Sequence, residues 1–583
     1  MTGNSIALTP LDWVVLSAVL LIPVLVSLRY YRHAGSSVRQ FFLAGRDLPW
    51  WLAGTSMVAT TFAADTPLAV TGLVAANGIA GNWMWWNAGL GSMLTVFFFS
   101  RLWRRAGIVT DVEFAELRYS GRPAAVLRGV RAFYLGLPIN CLIIGWVNLA
   151  LAKVLFITLG WDRLTAVFVG LGATGVYASL SGLRGVVITD VIQFGLAMVG
   201  SVALAWFALS VAEVGGLDGL VATLPAHTFE LLPTIGEDAA ASLTVGTDTL
   251  ALPLAAFVAY LGVQWWASWY PGQEPGGGGY IAQRMMSARD ERHALFASLW
   301  FTVAHYCIRP WPWILVALAS VVLYPGLADA ESGYALVIRD HLPSGWLGLL
   351  IGTFFAAYMS TVSTQLNWGA SYLVNDVYAR FIRGGASDPE LVLVSRAATL
   401  TLMVLSGVLT FHLDSVRQAW EFALESGAGV GLVLILRWYW WRITATSEIV
   451  ALVASAAGFL LLRSLTDIPF PDSLLYLVPW TTGWWLLATW LASPEPMHHL
   501  VSFHQRVSPE GPGWGPVIEA GQIRAPRSLR RPALEWIAGC VLVYGILLGV
   551  GNALFGSAAT AGVCLAIATT AAAWLWVQYR GTS

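Results

Sequence analysis

Two short runs hold the polar groups that could do chemistry in an otherwise apolar chain. The first, Ala59-Thr-Thr-Phe-Ala-Ala-Asp-Thr-Pro-Leu68, places Asp65 and Pro67 inside a long hydrophobic segment. Proline has no N–H to offer the carbonyl four residues back, so the expectation is that Pro67 leaves the oxygen of Ala63 without its helical partner. In hydrocarbon a free carbonyl must be satisfied some other way. A broken helix with a carboxylate two residues from the break is suited to holding a small cation. The second run, Phe354–Asn367, carries Ser360, Thr361, Ser363 and Thr364 close together. Hydroxyls and freed carbonyls give sodium hard oxygen ligands without binding it too tightly to release. Each hydroxyl could instead bond back to its own helix, but such a cluster beside a broken acidic helix favours an ion site.

The elements that position these runs must be membrane helices. The chain is 57% apolar and 11% charged, contains 30 Trp and has a mean hydropathy of +0.67; soluble domains carry about a quarter charged residues. A crossing takes roughly 20 apolar residues. About fifteen segments qualify, near residues 11–29, 47–76, 80–101, 133–157, 162–182, 186–212, 250–280, 295–324, 346–374, 393–411, 418–437, 446–464, 474–493, 533–552 and 558–578. The predicted fold class is an all-α polytopic membrane protein. With the N-terminus outside, most of the 32 Lys+Arg gather in inward loops, one of which holds Arg101, Arg104, Arg105, Arg118, Arg122, Arg128 and Arg131. The outward loops keep Arg163, Arg339 and Arg417, and 214–249 has no basic residue. The positive-inside rule then predicts a multi-pass protein of the inner cell membrane, N-terminus out and C-terminus in.

The first span lacks a basic n-region and a cleavage site and is expected to be retained. Cys141, Cys307, Cys540 and Cys564 lie in apolar segments, as packing residues do. The stretch 494–531, with His498, His499 and His504, reads as a solvated inner linker. A net charge of -1 says nothing about partners, and nothing suggests nucleic-acid binding.

Many secondary transporters are built from two inverted repeats, each opening with a discontinuous helix. The span at 47–76 is interrupted at Pro67. The span at 250–280 runs into Tyr270-Pro-Gly-Gln-Glu-Pro-Gly-Gly-Gly-Gly279, which a continuous membrane helix would not tolerate; the alternative is that this glycine run is an inner-side loop. These spans lie five apart, so they cross in opposite directions and open adjacent five-span blocks. The expected organisation is an extra N-terminal helix and inner loop (1–46), a first five-helix repeat (47–213), an extracytoplasmic loop (214–249), a second repeat (250–445), two accessory helices (446–493), a cytoplasmic linker (494–531) and a C-terminal helix pair (532–583).

At this point the chain resembles a known family. The run Ala357-Tyr-Met-Ser-Thr-Val-Ser-Thr-Gln-Leu366 is similar to the sodium-binding helix of the sodium:solute symporter family, and Thr110–Tyr119, Tyr177–Gln193 and Leu436–Arg442 resemble further family segments, in the family's order over roughly 10–445. The resemblance implies a leucine-transporter-type fold of five plus five inverted spans preceded by one helix. It implies sodium ligands at the carbonyls of Ala63, Thr66 and Ala357 and the hydroxyls of Ser360 and Thr361. Asp65 matches an aspartate that supports sodium coupling in the proline-transporting branch. Asp190 matches one on the inward sodium exit path; its place near a span end also allows simple interfacial solvation.

Other polar residues leave alternatives open. Arg309, inside the span 295–324, could neutralise Glu421 or Glu425, which are a helical turn apart, or meet an anionic substrate. Glu274 could be a gate or second ion ligand. Trp83, Trp85, Trp86 and Asn87 on one span, and Gln264, Trp265, Trp266 and Trp269 on another, could offer aromatic faces and amides to a solute, although Trp is also common at membrane interfaces. The family's sugar-binding polar residues do not map cleanly onto this chain, and the span at 80–101 lacks the acidic residue of sugar-transporting relatives. The overall expectation is sodium-coupled symport of a small polar organic solute, such as an amino acid, sugar or carboxylate, by alternating access. Na+ is the coupling ion, no organic cofactor or transition metal is needed, and a monomer suffices. The alternatives are a proton-coupled symporter with Asp65 titrating, or a solute sensor. No His-Glu-x-x-His, Gly-x-Ser-x-Gly or Walker-type run points to an enzyme.

Overall fold

The computed structural model describes residues 7–34, 38–235, 251–252, 254–268, 275–413, 416–523 and 528–580. The helices that build and brace the site are α1 (Pro10–Ala34), α2 (Trp50–Thr61), α3 (Asp65–Asn77), α4 (Asn140–Leu159), α5 (Arg163–Leu209), α6 (Leu254–Ala267), α7 (Gly279–Ser287), α8 (Glu291–Leu323), α9 (Trp346–Ser371), α10 (Asp388–Thr410), α11 (Val416–Ser426), α12 (Val430–Tyr439), α13 (Ala445–Leu465), α14 (Leu474–Leu491), α15 (Met497–Val507), α16 (Arg530–Phe555) and α17 (Ala558–Arg580). The described strands, Thr234–Ile235 and Ala251–Leu252, form one short parallel pair. Large apolar side chains such as Phe168, Trp206, Val404, Leu460 and Val577 are exposed on the outer helices. A surface of that kind is stable against lipid tails, not water.

Among the described residues, 8 helices are long and apolar enough to cross a membrane, or up to 10 with α2–α3 and α11–α12 each taken as one bent span. The expected segments at 11–29, 80–101, 162–182, 250–280 and 474–493 fall below that measure. The stretch 80–101, for instance, is broken into Trp83–Trp86, Ala88–Leu94 and a π turn at Thr95–Phe99. In α5, helix is continuous over 47 residues. Yet a Cβ on Gly170 would lie 3.0 Å from the Tyr358 ring, while Asp190 bonds to Ser360 on the same turn of α9. Of α5, Leu183–Leu209 is the part long and apolar enough to cross a membrane.

The core is organised around α9, whose residues 347–371 are almost all buried. It packs on α1, α2, α4, α5 and α10. Against α9 stands the break between α2 and α3, bent by 59°. The break lies at Phe62–Ala64, with Phe62 at φ -90 and ψ 66, a turn before Pro67. Pro67 is the third residue of α3, where its missing N–H would have had no helical partner. This corrects one expectation: the carbonyl of Ala63 is not orphaned, because it accepts from the Thr66 N–H at 3.3 Å. The carbonyls that take side-chain donors at the break are those of Thr60, from the Thr361 hydroxyl, and Thr61, from the Thr66 hydroxyl.

The counterpart span is also discontinuous. α6 ends at Ala267, Ser268 is extended, and α7 begins at Gly279 with all of its residues buried. Ser268 and residues 275–279, which flank residues 269–274, are buried. At Gly277 φ is +73, and a Cβ would come within 2.9 Å of Met285 and Thr95, so only glycine fits. Residues 269–274, including Trp269 and Glu274, lie outside the described residues. An unexpected third break separates α11 from α12 by 49°.

The stretch 494–531 is not the solvated loop expected from its composition. Its α15 and the turn Pro512–Trp514 bury Leu500, Phe503, Val507 and Trp514. The Arg118 guanidinium lies over the Phe503 and Trp514 rings and donates to the carbonyls of Arg437, Trp440 and Trp441. This contact joins two of the motif segments, Thr110–Tyr119 and Leu436–Arg442. α16 stacks Tyr544 on Trp83 and donates from its hydroxyl to the Trp86 carbonyl.

Candidate functional site

At the α2–α3 break, oxygen atoms from two helices converge. Thr361 on α9 donates its hydroxyl to the freed carbonyl of Thr60 at 2.7 Å and lies 3.2 Å from the carbonyl of Ala357. Thr60 also contacts Thr364 at 3.1 Å. Ala63, Thr66 and Thr361 share one cavity wall. Ser360 faces the other way and donates to Asp190 at 2.7 Å; Ser56 donates to the second oxygen of Asp190 at 2.5 Å. Asp190 is wholly buried, so interfacial solvation does not describe it. Its countercharge is Arg284 of α7, 3.7 Å away, which also donates to Ser56, Thr364 and Gln283. Of the clustered hydroxyls, Ser363 bonds back to the Ser360 carbonyl, as a lone membrane serine would. The oxygen set around Thr361, made of hydroxyls and backbone carbonyls, is of the kind that holds sodium between discontinuous helices.

Beside this point lies a cavity of about 110 Å³. Asp65 opens α3, and its carboxylate accepts from the Thr66 hydroxyl at 3.4 Å. Across from it, a π turn at Ala304–Ile308 brings His305 and Arg309 of α8 to the wall; such turns re-aim side chains at functional sites. Arg309 donates to Thr61 Oγ1 at 3.0 Å, to the His305 carbonyl at 3.3 Å and to His305 Nε2 at 3.2 Å. A guanidinium can only donate, so Nε2 must accept and the proton of a neutral imidazole sits on Nδ1. That Nδ1 lies 3.0 Å from Thr61 Oγ1, which passes its own proton to the Val58 carbonyl at 2.9 Å. Three of the five Arg309 N–H groups are engaged in this triangle, and none of the three goes to a carboxylate. Trp85, Trp146 and Trp420 add aromatic surface to the wall, and Gln264 and Gln365 add amides.

The cavity shares Ala69, Leu73, Met84 and Trp420 with a wider vestibule of about 580 Å³, whose rim carries the Lys153 ion pairs with Asp329 and Glu331. Tyr280 of α7 forms part of the cavity wall, and the Asp190–Arg284 cluster meets α2 at Ser56, one turn before Thr60. The profile of the sodium:solute symporter family matches residues 41–456. The chain belongs to the sodium:solute symporter family. It is 26% identical over 478 residues to the sodium/glucose cotransporter of Vibrio parahaemolyticus, covering 76% of this chain and 83% of that one. It is 27% identical over 417 residues to sodium/glucose cotransporter 1 of Sus scrofa, covering 66% of this chain and 60% of that one. Its fold is similar to a Na+-coupled sialic acid symporter solved in a substrate-bound outward-open state (TM-score 0.67, 18% identity, 84% of this chain and 99% of that chain). The leucine-transporter-type fold and the membrane-spanning nature of this symporter follow, and the family is one of transporters, not enzymes.

In this symporter the residues singled out from sequence divide into two groups. Ala63, Asp65, Thr66, Gln264, Arg309 and Thr361 line the cavity. Trp265, Trp266, Trp86, Asn87 and Glu421 do not. Trp265 turns outward to stack on Trp536 of α16, and Trp266 bonds back to Gly262. Trp86 is sealed among Trp83, Trp85 and Trp311, and Asn87 bonds to its own helix at Trp83. Glu421 is flanked in sequence by cavity-lining Trp420 and, three residues on, Leu424. Glu425 pairs with Arg463 at 2.5 Å, so it is not the counterion of Arg309. Trp85, expected to offer an aromatic face, does line the cavity, whereas His305, Gln365, Trp146 and Trp420 were not singled out as solute contacts. A signal for His305 was present, since it precedes Arg309 by one helical turn and must share its face.

Proposed function

We propose that this symporter uses the inward sodium gradient to accumulate a small polar organic solute by alternating access, with the N-terminus outside and the C-terminus inside. Sodium would be held at the α2–α3 break by Ala63, Thr66, Ala357 and Thr361, with Ser360 orienting Asp190 on its inner side. The observation that carries this reading is the Thr361 hydroxyl bonded to the freed carbonyl of Thr60, because it ties α9 to the broken helix at the edge of the cavity. A cation there would draw both halves of the break and α9 together, completing the solute cavity while its mouth still faces the vestibule. Asp65, beside the break, adds negative potential for the ion. Each charge moved inward gains about 2.3 kcal/mol per 100 mV of membrane potential, enough to drive uptake against a solute gradient.

The test is uptake by the reconstituted protein under separate sodium and proton gradients. Ser360→Ala with Thr361→Ala is expected to abolish sodium-stimulated uptake while the protein still inserts and folds, as judged by size-exclusion profile. Undiminished sodium stimulation in that double variant would overturn the ion site, and uptake driven by a proton gradient alone would overturn sodium coupling.

A further inference from the structure

The cavity holds two opposite charges that do not meet. Among the described residues no acidic side chain lies within 4.0 Å of the Arg309 guanidinium and no basic one within 4.0 Å of the Asp65 carboxylate, although Arg309 is 1% exposed and Asp65 3%. Arg309 rests on neutral acceptors, Thr61 and His305, and on the Trp313 ring at 5.2 Å. Each charge feels the other's field across the space between them. Buried charges are retained in membrane proteins when they are paired or serve a ligand. Two unpaired charges of opposite sign on one cavity wall call for a guest that brings the complement of both.

Other groups on the wall point the same way. The side-chain oxygens of Gln264 and Gln365 and the indole N–H of Trp420 are buried without a partner, and such groups are expected to find one when the site fills. Trp85, Trp146 and Trp420 present ring surface, which attracts a cationic group, quaternary ammonium included. The cavity's about 110 Å³ is well under the roughly 300–1,000 Å³ of drug-sized sites, so the guest has few heavy atoms. With sodium beside Asp65, a neutral sugar would still leave Arg309 unanswered, and unpaired buried groups reject a ligand that cannot satisfy them.

We propose that the solute is a small zwitterion, an amino carboxylate or betaine, whose carboxylate pairs with Arg309 beside Thr61 and whose ammonium faces Asp65 and the tryptophan rings. This rests on the transport reading above and names the substrate class of the same cavity. His305, neutral and hydrogen-bonded on both nitrogens, holds the guanidinium in place for the carboxylate.

The experiment is thermal stabilisation of the purified full-length protein, in sodium and in potassium buffer, by three sets of probes. These are zwitterions (glycine betaine, proline, β-alanine), carboxylates lacking the ammonium (propionate, lactate) and sugars (glucose, galactose). The expected result is stabilisation by at least one zwitterion in sodium, and by neither of the other sets. Arg309→Gln should weaken that zwitterion's half-saturation by roughly a hundredfold while stabilisation by sodium alone persists, showing that the variant is folded. Asp65→Asn should narrow the gap between the zwitterion and its deaminated carboxylate. No response to any zwitterion, equal response to the deaminated carboxylates, or a response confined to sugars would each overturn the proposal. A sugar response that needs sodium would do so while leaving coupled transport intact; a solute response indifferent to sodium would instead count against the coupling itself.

Discussion

Two buried histidines show how local partners decide what the same side chain does. His305 has both ring nitrogens engaged, one accepting from Arg309 and the other donating to Thr61, so it is a fixed neutral strut. His504, on α15 outside the membrane spans, is 3% exposed and its ring nitrogens are without a hydrogen-bond partner among the described residues. It packs edge-on against Trp514. Burial holds its pKa below the ordinary value of 6.5, because the charged imidazolium would lose its hydration with nothing in return. The unfolded chain therefore binds more protons than the folded one near that pH. Stability from this residue is complete above pH about 6.5 and is lost as pH falls through and below it. Between pH 7.5 and 5.5 the melting temperature of the wild type is expected to drop more than that of His504→Phe. Equal drops would show that the ring is hydrated.

At the level of elements, the breaks were readable in kind but not in position. Pro67 announced a discontinuity, and the Pro-Gly run after Tyr270 announced its counterpart. Proline disrupts the turn before it and is tolerated in the first turn of a new helix, so the α2–α3 break settled at Phe62–Ala64 and freed Thr60 instead of Ala63. Hydropathy located ten of the fifteen expected spans. It could not separate a tryptophan packed against a neighbouring helix from one in the cavity, which is why Trp265 and Trp266 were singled out and Trp146 and Trp420 were not. Nor did composition reveal that the 494–531 stretch packs through Phe503 and Trp514, since its Pro, Gly and Arg content masks a strongly one-sided helix. The α11–α12 break had a sequence signal in Glu425-Ser-Gly-Ala-Gly429. Gly429 has φ +83, and a Cβ there would stand 2.5 Å from Thr481 of α14. A left-handed residue bearing a side chain costs about 1–2 kcal/mol, and the overlap about 1–3 kcal/mol more. Gly429→Ala is thus expected to lower stability by at least about 2 kcal/mol, read as a fall in melting temperature, whereas Gly483→Ala on α14, with open space around it, should be close to neutral.

Across the whole molecule, the vestibule is lined by the far end of α3 at Ala76 and Asn77, while the Asp190–Arg284 cluster meets α2 at Ser56, before the break. Under the proposed alternating access, opening one and closing the other would be a single rearrangement. Arg284 is the natural fastener of the closed side. From α7 it reaches Ser56 on α2, Asp190 on α5 and Thr364 on α9, wholly buried. Next to it, Gln283 donates to the side chain of Asn367 on α9 and to the carbonyl of Phe42. Removing the guanidinium leaves a buried carboxylate unpaired in this conformation, and such a defect costs several kcal/mol. If the other conformation lets water reach Asp190, the substitution weighs only against the closed one. Arg284→Gln should therefore shift the population toward opening on that side by at least about 1.4 kcal/mol, a tenfold change. The readout is maleimide labelling of Asn367→Cys, which is 4% exposed here, in a background where Cys540 and Cys564 are alanine. Labelling at least about ten times faster with Arg284→Gln, and slowed again by added sodium, is the expected result. Unchanged labelling would mean that α7 stays docked through its apolar contacts alone and that the Asp190–Arg284 pair does not govern access.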